Sequence, residues 1–128
     1  MTTRREILAG AAVTALLAPA ARAVDAPALH GLIGSMTAQP GRRADLIAIL
    51  IEGTGAMPGC LSYIVAEDPA KPDTIWITEV WDSAASHAAS LKLPAVRAAI
   101  AKGRPLIAGF GEQTITRPLG GTGLSRPR

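Results

Sequence analysis

Ile75-Trp76-Ile77-Thr78-Glu79-Val80-Trp81-Asp82-Ser83-Ala84-Ala85-Ser86-His87 changes its periodicity in the middle. Up to Trp81 it is rich in β-branched and aromatic residues, the composition of a strand; after Asp82 and Ser83, either of which can cap a helix, it becomes Ala-rich. Alternation along the strand sends Ile75, Ile77, Glu79 and Trp81 to one face and Trp76, Thr78 and Val80 to the other. Both faces therefore carry bulky apolar groups. A sheet wetted on one side alternates more cleanly, so this strand predicts a sheet covered on both faces.

Working outward, Leu29 to Ala38 reads as a first strand, and Gln39-Pro40-Gly41 turns the chain into a helix from about Arg42 to Gly53. Leu46, Ile49, Leu50 and Gly53 form a helical stripe that Ile47 and Ile51 widen, so this helix lies against a sheet. Met57-Pro58-Gly59 leads into a second strand, Cys60 to Ala66. The polar, proline-marked segment from Glu67 to Asp73 is a hairpin loop before the third strand, Thr74 to Trp81. The helix capped at Asp82 or Ser83 runs to about Leu91, Pro94 opens another that ends at Gly103, and a fourth strand follows from Leu106 to Thr116. The order defines an α+β, ferredoxin-like β-α-β-β-α-β domain: one antiparallel sheet with helices on one face. The simplest cover for the second face is the sheet of a second copy, which predicts a homodimer. Arg42, Arg43 and Arg117 read as solvated charges.

The ends of the chain carry other information. Arg4-Arg5, an apolar run from Ile7 to Ala18 and Ala21-Arg22-Ala23 predict a secretory signal cleaved after Ala23. The run is shorter than the ~20 apolar residues a membrane span needs. Thr3-Arg4-Arg5-Glu6-Ile7-Leu8 is similar to a twin-arginine signal, which implies a periplasmic or secreted protein touching the membrane only through the signal before cleavage. Residues 24–118 then form the domain and 119–128 a flexible, Gly-rich tail. Cleavage removes Arg4, Arg5, Arg22 and Glu6, so most of the formal net charge of +3 leaves with the signal and ten basic residues face nine acidic ones. No basic stripe remains to track a nucleic-acid backbone. Cys60 is the one cysteine and cannot form an internal bridge; burial as a small apolar residue is expected, the alternative being an intermolecular bond.

Several chemistries are poorly supported. His30 and His87 are the only histidines, and neither has Cys or carboxylate neighbours at metal-ligand spacing. Gly31-Leu32-Ile33-Gly34 is not a dinucleotide fingerprint, and there is neither a phosphate loop nor a hydrolase nucleophile elbow. No metal and no cofactor are expected. What remains is an apolar domain with a few polar groups near Trp81 and His87.

Glu79-Val80-Trp81-Asp82-Ser83, with His87 on the helix that follows, resembles the signature of the antibiotic biosynthesis monooxygenase family, and the resemblance runs from roughly Leu29 to Gly120. It implies pairing of two sheets into a dimeric α/β barrel. It also implies oxidation of a quinol or related polycyclic phenol by dioxygen without flavin, metal or haem, the substrate supplying the electrons. Such chemistry needs a dry pocket and a group that takes a phenolic proton. His87 is the expected proton acceptor, because imidazole is the side chain that ordinarily titrates nearest neutrality. Trp81 would wall the pocket, Tyr63 and Ser35 would orient a phenolic oxygen, and Glu79 would complete the substrate-binding set. A carboxylate on an apolar face needs a partner, for which an Arg such as Arg104, or one from the second subunit, is expected.

Two departures from the family pattern matter. Ser90 stands where a His is common, leaving His87 one turn earlier, and the chain contains no Asn. The haem-degrading relatives resemble one another in using an Asn, a Trp and a His, so that reaction is not expected here. The alternative reading is a non-catalytic dimeric barrel that holds a small apolar ligand, or binds haem through His87.

Overall fold

The structure is a computed structural model that describes residues 28–124. The signal-like segment to Ala23 and the end of the Gly-rich tail lie outside the described residues. The elements are β1 (His30–Ala38), α1 (Arg43–Gly53), β2 (Cys60–Glu67), β3 (Thr74–Trp81), α2 (Ala84–Ser90), α3 (Pro94–Gly103), a 3-10 turn (Arg104–Leu106) and β4 (Ile107–Thr116). All strand pairs are antiparallel, and the sheet order is β2-β3-β1-β4. This is the ferredoxin-like topology expected from the element order. The boundaries differ by one residue at the start of β1 and the end of β2, and Leu106 belongs to the 3-10 turn and not to β4.

Local chemistry sets the joints. Gly41 has φ +76, a conformation that favours glycine, and it lets Arg42 N–H close a turn onto the Gln39 carbonyl just before α1. Ser83 caps α2 by accepting from Ser86 N–H at 3.1 Å. Pro94 begins α3, where its missing N–H costs nothing.

The core lies between the sheet and the helices. Leu46 of α1 and Ile75 of β3 are fully buried, with Ala38 and Ile77 beside them and Met36, Leu50, Tyr63 and Ile107 packed around. The face carrying Ile75, Ile77, Glu79 and Trp81 is therefore the helix-covered one. Trp76 (39 % exposed), Ile33 (42 %) and Ile64 (57 %) stand on the other face.

Arg43 corrects a sequence expectation. Its side chain is only 18 % exposed: Nη1 donates to the carbonyls of Asp68, Lys71 and Thr74, and Nη2 pairs with Glu67 at 3.2 Å. It pins the β2–β3 loop to α1 and is not a solvated charge. The Lys71 and Thr74 carbonyls also accept from the N–H groups of Thr74 and Asp68, and a planar multi-donor group is well matched to the lone pairs that remain. Cys60 is half-buried, its Sγ 3.5 Å from the Ser62 carbonyl, and not fully enclosed. No helix among the described residues is long and apolar enough to cross a membrane.

Candidate active site

The strand register decides which polar groups meet. Tyr63 of β2 lies directly across from Glu79 of β3, and Glu79 faces Leu32 of β1, so all three share the helix-covered face. Trp81 is two residues further along β3, 1 % exposed. Its indole Nε1–H donates to Glu79 Oε1 at 2.9 Å, which fixes the carboxylate. The imidazole of His87 descends from α2 onto the same pair, with Nε2 3.9 Å from Glu79 Oε1 and the ring edge-on to Trp81 at 5.4 Å between centroids. Glu79, Trp81 and His87 thus form one constellation, built by a strand and the helix that follows it.

The expectation of Arg104 as the partner of Glu79 needs correction: among the described residues its partner is the Trp81 indole, with His87 beyond it, and no arginine of the same chain pairs with it. Arg104 stands elsewhere on the same cavity. Ser35 also needs correction. It pairs with Trp76 and so belongs to the opposite face, where its Oγ crowds the position a Cβ on Gly111 would take. Parity within a single strand does not reveal which face holds a site; that follows only from cross-strand register. His30 has no role in the sequence reading, yet its ring lies 5.5 Å from that of His87. The signal is the placing of His30 and Trp81 at matching ends of adjacent strands, which only the pairing makes usable.

Glu79, Trp81, His87 and Tyr63 border a cavity of about 580 Å³ between sheet and helices. Its other walls include Met36, Leu46, Leu50, Val96, Ala99 and Phe110. Size and lining suit a small organic ligand: mostly apolar, with few convergent polar groups. Two of the lining hydroxyls are already used inside the fold, Thr54 Oγ1 on the Leu50 carbonyl at 2.6 Å and Ser90 Oγ on the His87 carbonyl at 2.6 Å. The groups left to address a ligand are the Tyr63 phenol, the Glu79 carboxylate and the His87 imidazole, while Arg104, an exposed residue, also borders the cavity. Burial, reinforced by the Glu79 charge and then by Cys60, pushes the Tyr63 phenol well above its ordinary range. It therefore stays neutral and acts as a hydroxyl, not as a phenolate base. Burial likewise pushes the Cys60 thiol up, against a hydrogen bond to Ser62 that lowers it, so this thiol is a poor nucleophile. Among the described residues no cluster of three or more His, Cys, Asp or Glu side chains is arranged to hold a metal ion.

Fold and cavity together define a ferredoxin-like domain with an apolar small-molecule pocket between its helices and its sheet. Residues 30–102 match the family model for antibiotic biosynthesis monooxygenase, and the chain belongs to that family. A candidate antibiotic biosynthesis monooxygenase from Chloroflexus aurantiacus is similar at 63 % identity and TM-score 0.75, the match covering 76 % of this chain and 99 % of that one. A second candidate member, from Caulobacter crescentus, shares the fold at 19 % identity and TM-score 0.61, over 72 % and 89 % of the two chains. SnoaB, a cofactor-independent oxygenase from Streptomyces nogalater solved in a mutant form, also shares it, at 13 % identity and TM-score 0.61, over 73 % and 96 %. Among curated proteins no match was found.

Proposed function

We propose that the protein is a cofactor-independent monooxygenase that oxidises a quinol or related phenol with dioxygen, using the Glu79–Trp81–His87 constellation. The observation that carries this reading is a proton acceptor and a fixed carboxylate at the wall of an otherwise apolar cavity. His87 takes the phenolic proton, because a phenolate gives an electron to oxygen more readily than a phenol does. The imidazolium that results faces the Glu79 carboxylate, which the Trp81 N–H holds in place. Tyr63, kept neutral by burial, supplies a hydroxyl to orient the substrate oxygen. A ligand that fills the cavity displaces water from its apolar walls, which lowers the polarity around the reactive ring. The balance closes without a cofactor: one atom of dioxygen enters a ring C–H as hydroxyl, the ring rises to the quinone level, and the second atom leaves as water with the two hydrogens removed.

The test is oxygen uptake by the purified protein with a panel of reduced quinols, measured above their autoxidation. Uptake that falls by roughly a hundredfold in His87→Ala, the scale of a lost general base, supports the mechanism. Quinol binding without uptake would instead place the chain among non-catalytic binders.

The same proposal includes a homodimer paired through the apolar face that carries Ile33, Ile64 and Trp76, and export through the signal-like N-terminus. Export is checked by fusing residues 1–30 to a reporter that works only outside the cytoplasm. Arg4→Lys with Arg5→Lys abolishes its activity if the twin-arginine reading holds.

A further inference from the structure

We infer that the mouth of the cavity is a docking surface for an anionic lipid bilayer, from which an apolar ligand enters without crossing water. Docking of this kind does not depend on the chemistry at Glu79, Trp81 and His87.

From Ser83 to Gly111 the chain has four basic residues, Lys92, Arg97, Lys102 and Arg104, and not one Asp or Glu. The other residues after Ala23 carry six basic and nine acidic side chains. The nearly balanced charge of that part of the chain therefore conceals a segment of +4 joined to a remainder of −3. The acid-free segment comprises α2, α3, the 3-10 turn and the first half of β4. These elements also supply the rim of the cavity: Leu91, Ile100 and Phe110 border it and are 51 %, 41 % and 69 % exposed.

Helical spacing brings charge to the same rim. Val96, Ala99 and Gly103 form the buried face of α3, and Ile100 borders the cavity beside them. Arg97 and Arg104, three residues before Ile100 and four after it, flank it on one side of the helix, and both are exposed. Exposed Lys92 directly follows Leu91. Ion pairs among the described residues join Arg42 to Asp45, Arg43 to Glu67 and His87 to Glu79, so Lys92, Arg97 and Arg104 take part in none. Lys102 borders the groove between α3 and α1, as Glu52 does, and stands outside the patch. Exposed apolar side chains among unpaired cations suit a surface that lies on anionic lipid, the former entering the acyl boundary and the latter meeting the phosphates. An acidic protein would match the cations but gives no reason for apolar lips at the opening of an apolar cavity. Such docking extends the expected membrane contact beyond the signal-like segment.

The test is cosedimentation with lipid vesicles of the chain from Val24 onward, which holds the whole described fold without the apolar run that would bind lipid by itself. Vesicles are phosphatidylcholine alone, or equal parts of phosphatidylcholine and phosphatidylglycerol. Wild type is expected to bind the anionic vesicles and to leave them as salt is raised. Each basic side chain near an anionic surface strengthens binding about fivefold, so Lys92→Glu with Arg97→Glu should weaken it by about twentyfold or more. Phe110→Ser should weaken it by about tenfold through the lost apolar insertion. Lys71→Glu with Arg117→Glu makes the same change in net charge outside the acid-free segment and should bind nearly as wild type does. Circular dichroism melts report that each variant is folded. Failure of wild type to bind the anionic vesicles overturns the proposal, as does an equal loss in the Lys71 and Arg117 variant, or undiminished binding by the Lys92 and Arg97 variant or by Phe110→Ser. Binding to poly-glutamate without binding to vesicles would overturn it in favour of an acidic protein partner.

Discussion

At the scale of single residues, the site is a chain of dependence that starts at Trp81. Its indole is the donor that orients Glu79, and it is almost fully enclosed. Trp81→Phe keeps most of the apolar volume but leaves the carboxylate without that donor. A fall in stability of about 1.5–3 kcal/mol is expected in a denaturant titration, the range for hydrogen bonds to charged groups. Glu79→Gln keeps an acceptor for the indole and removes the charge opposite His87, so quinol oxidation should fall by less than in His87→Ala. Tyr63 gives a prediction in pH. Its folded-state phenol titrates above the ordinary value near 10, so its contribution is fully present below pH 10 and is lost as the pH climbs above it. Tyr63→Phe should flatten that alkaline loss of stability in melting experiments. The nearness of Glu79, Trp81 and His87 is legible in the sequence because alternation and the strand-to-helix junction are local signals, whereas Tyr63 depends on the order of the strands. The face of Ser35 and the partner of Glu79 are not legible there, because both depend on which residues oppose one another across strands.

At the scale of elements, two joints hold the helices and the loop in register. Gly53 ends α1 where it meets α3, and a Cβ there would overlap Ala99. Gly53→Ala should force the two helices apart at a cost of about 1–3 kcal/mol, visible as a lower Tm, because overpacked contacts displace backbone. The β2–β3 loop is held by Arg43 from one side and by Asp68 from the other. Asp68 accepts from Trp76 Nε1 at 2.9 Å and from the N–H groups of Ala70 and Lys71. The Trp76 bond above all, with help from Ala70, Lys71 and the Lys71 charge, holds this carboxyl below its usual range. The order it gives the loop is present above the ordinary aspartate value and is lost as the pH falls through the lowered one. Trp76 fluorescence should therefore change at acid pH before global unfolding, and Asp68→Ala should remove that step. Its prolines announce this segment as a hairpin loop in the sequence. Nothing there announces Arg43, since a residue 25 positions before Asp68 shows no local sign of reaching it.

At the scale of the whole molecule, the sheet separates two tasks. One face and the helices enclose the cavity; the other presents Ile33, Ile64 and Trp76 to solvent in a single chain. Large apolar side chains exposed together on one sheet face, here with Thr78 and Ser35 among them, mark a candidate docking surface. The proposed two-fold pairing would cover it without touching Tyr63, Glu79 or His87. Wild-type protein should therefore sediment as a dimer, and Ile64→Glu, which places a charge at a position 57 % exposed in the single chain, should dissociate it without unfolding the protomer. Because each cavity is built within one chain, the dissociated Ile64→Glu protein should still bind naphthoquinol, with affinity close to wild type. A monomeric wild type would sink the pairing. Loss of binding in a folded Ile64→Glu monomer would show instead that the second copy completes the cavity, and the site would have to be redrawn across the interface.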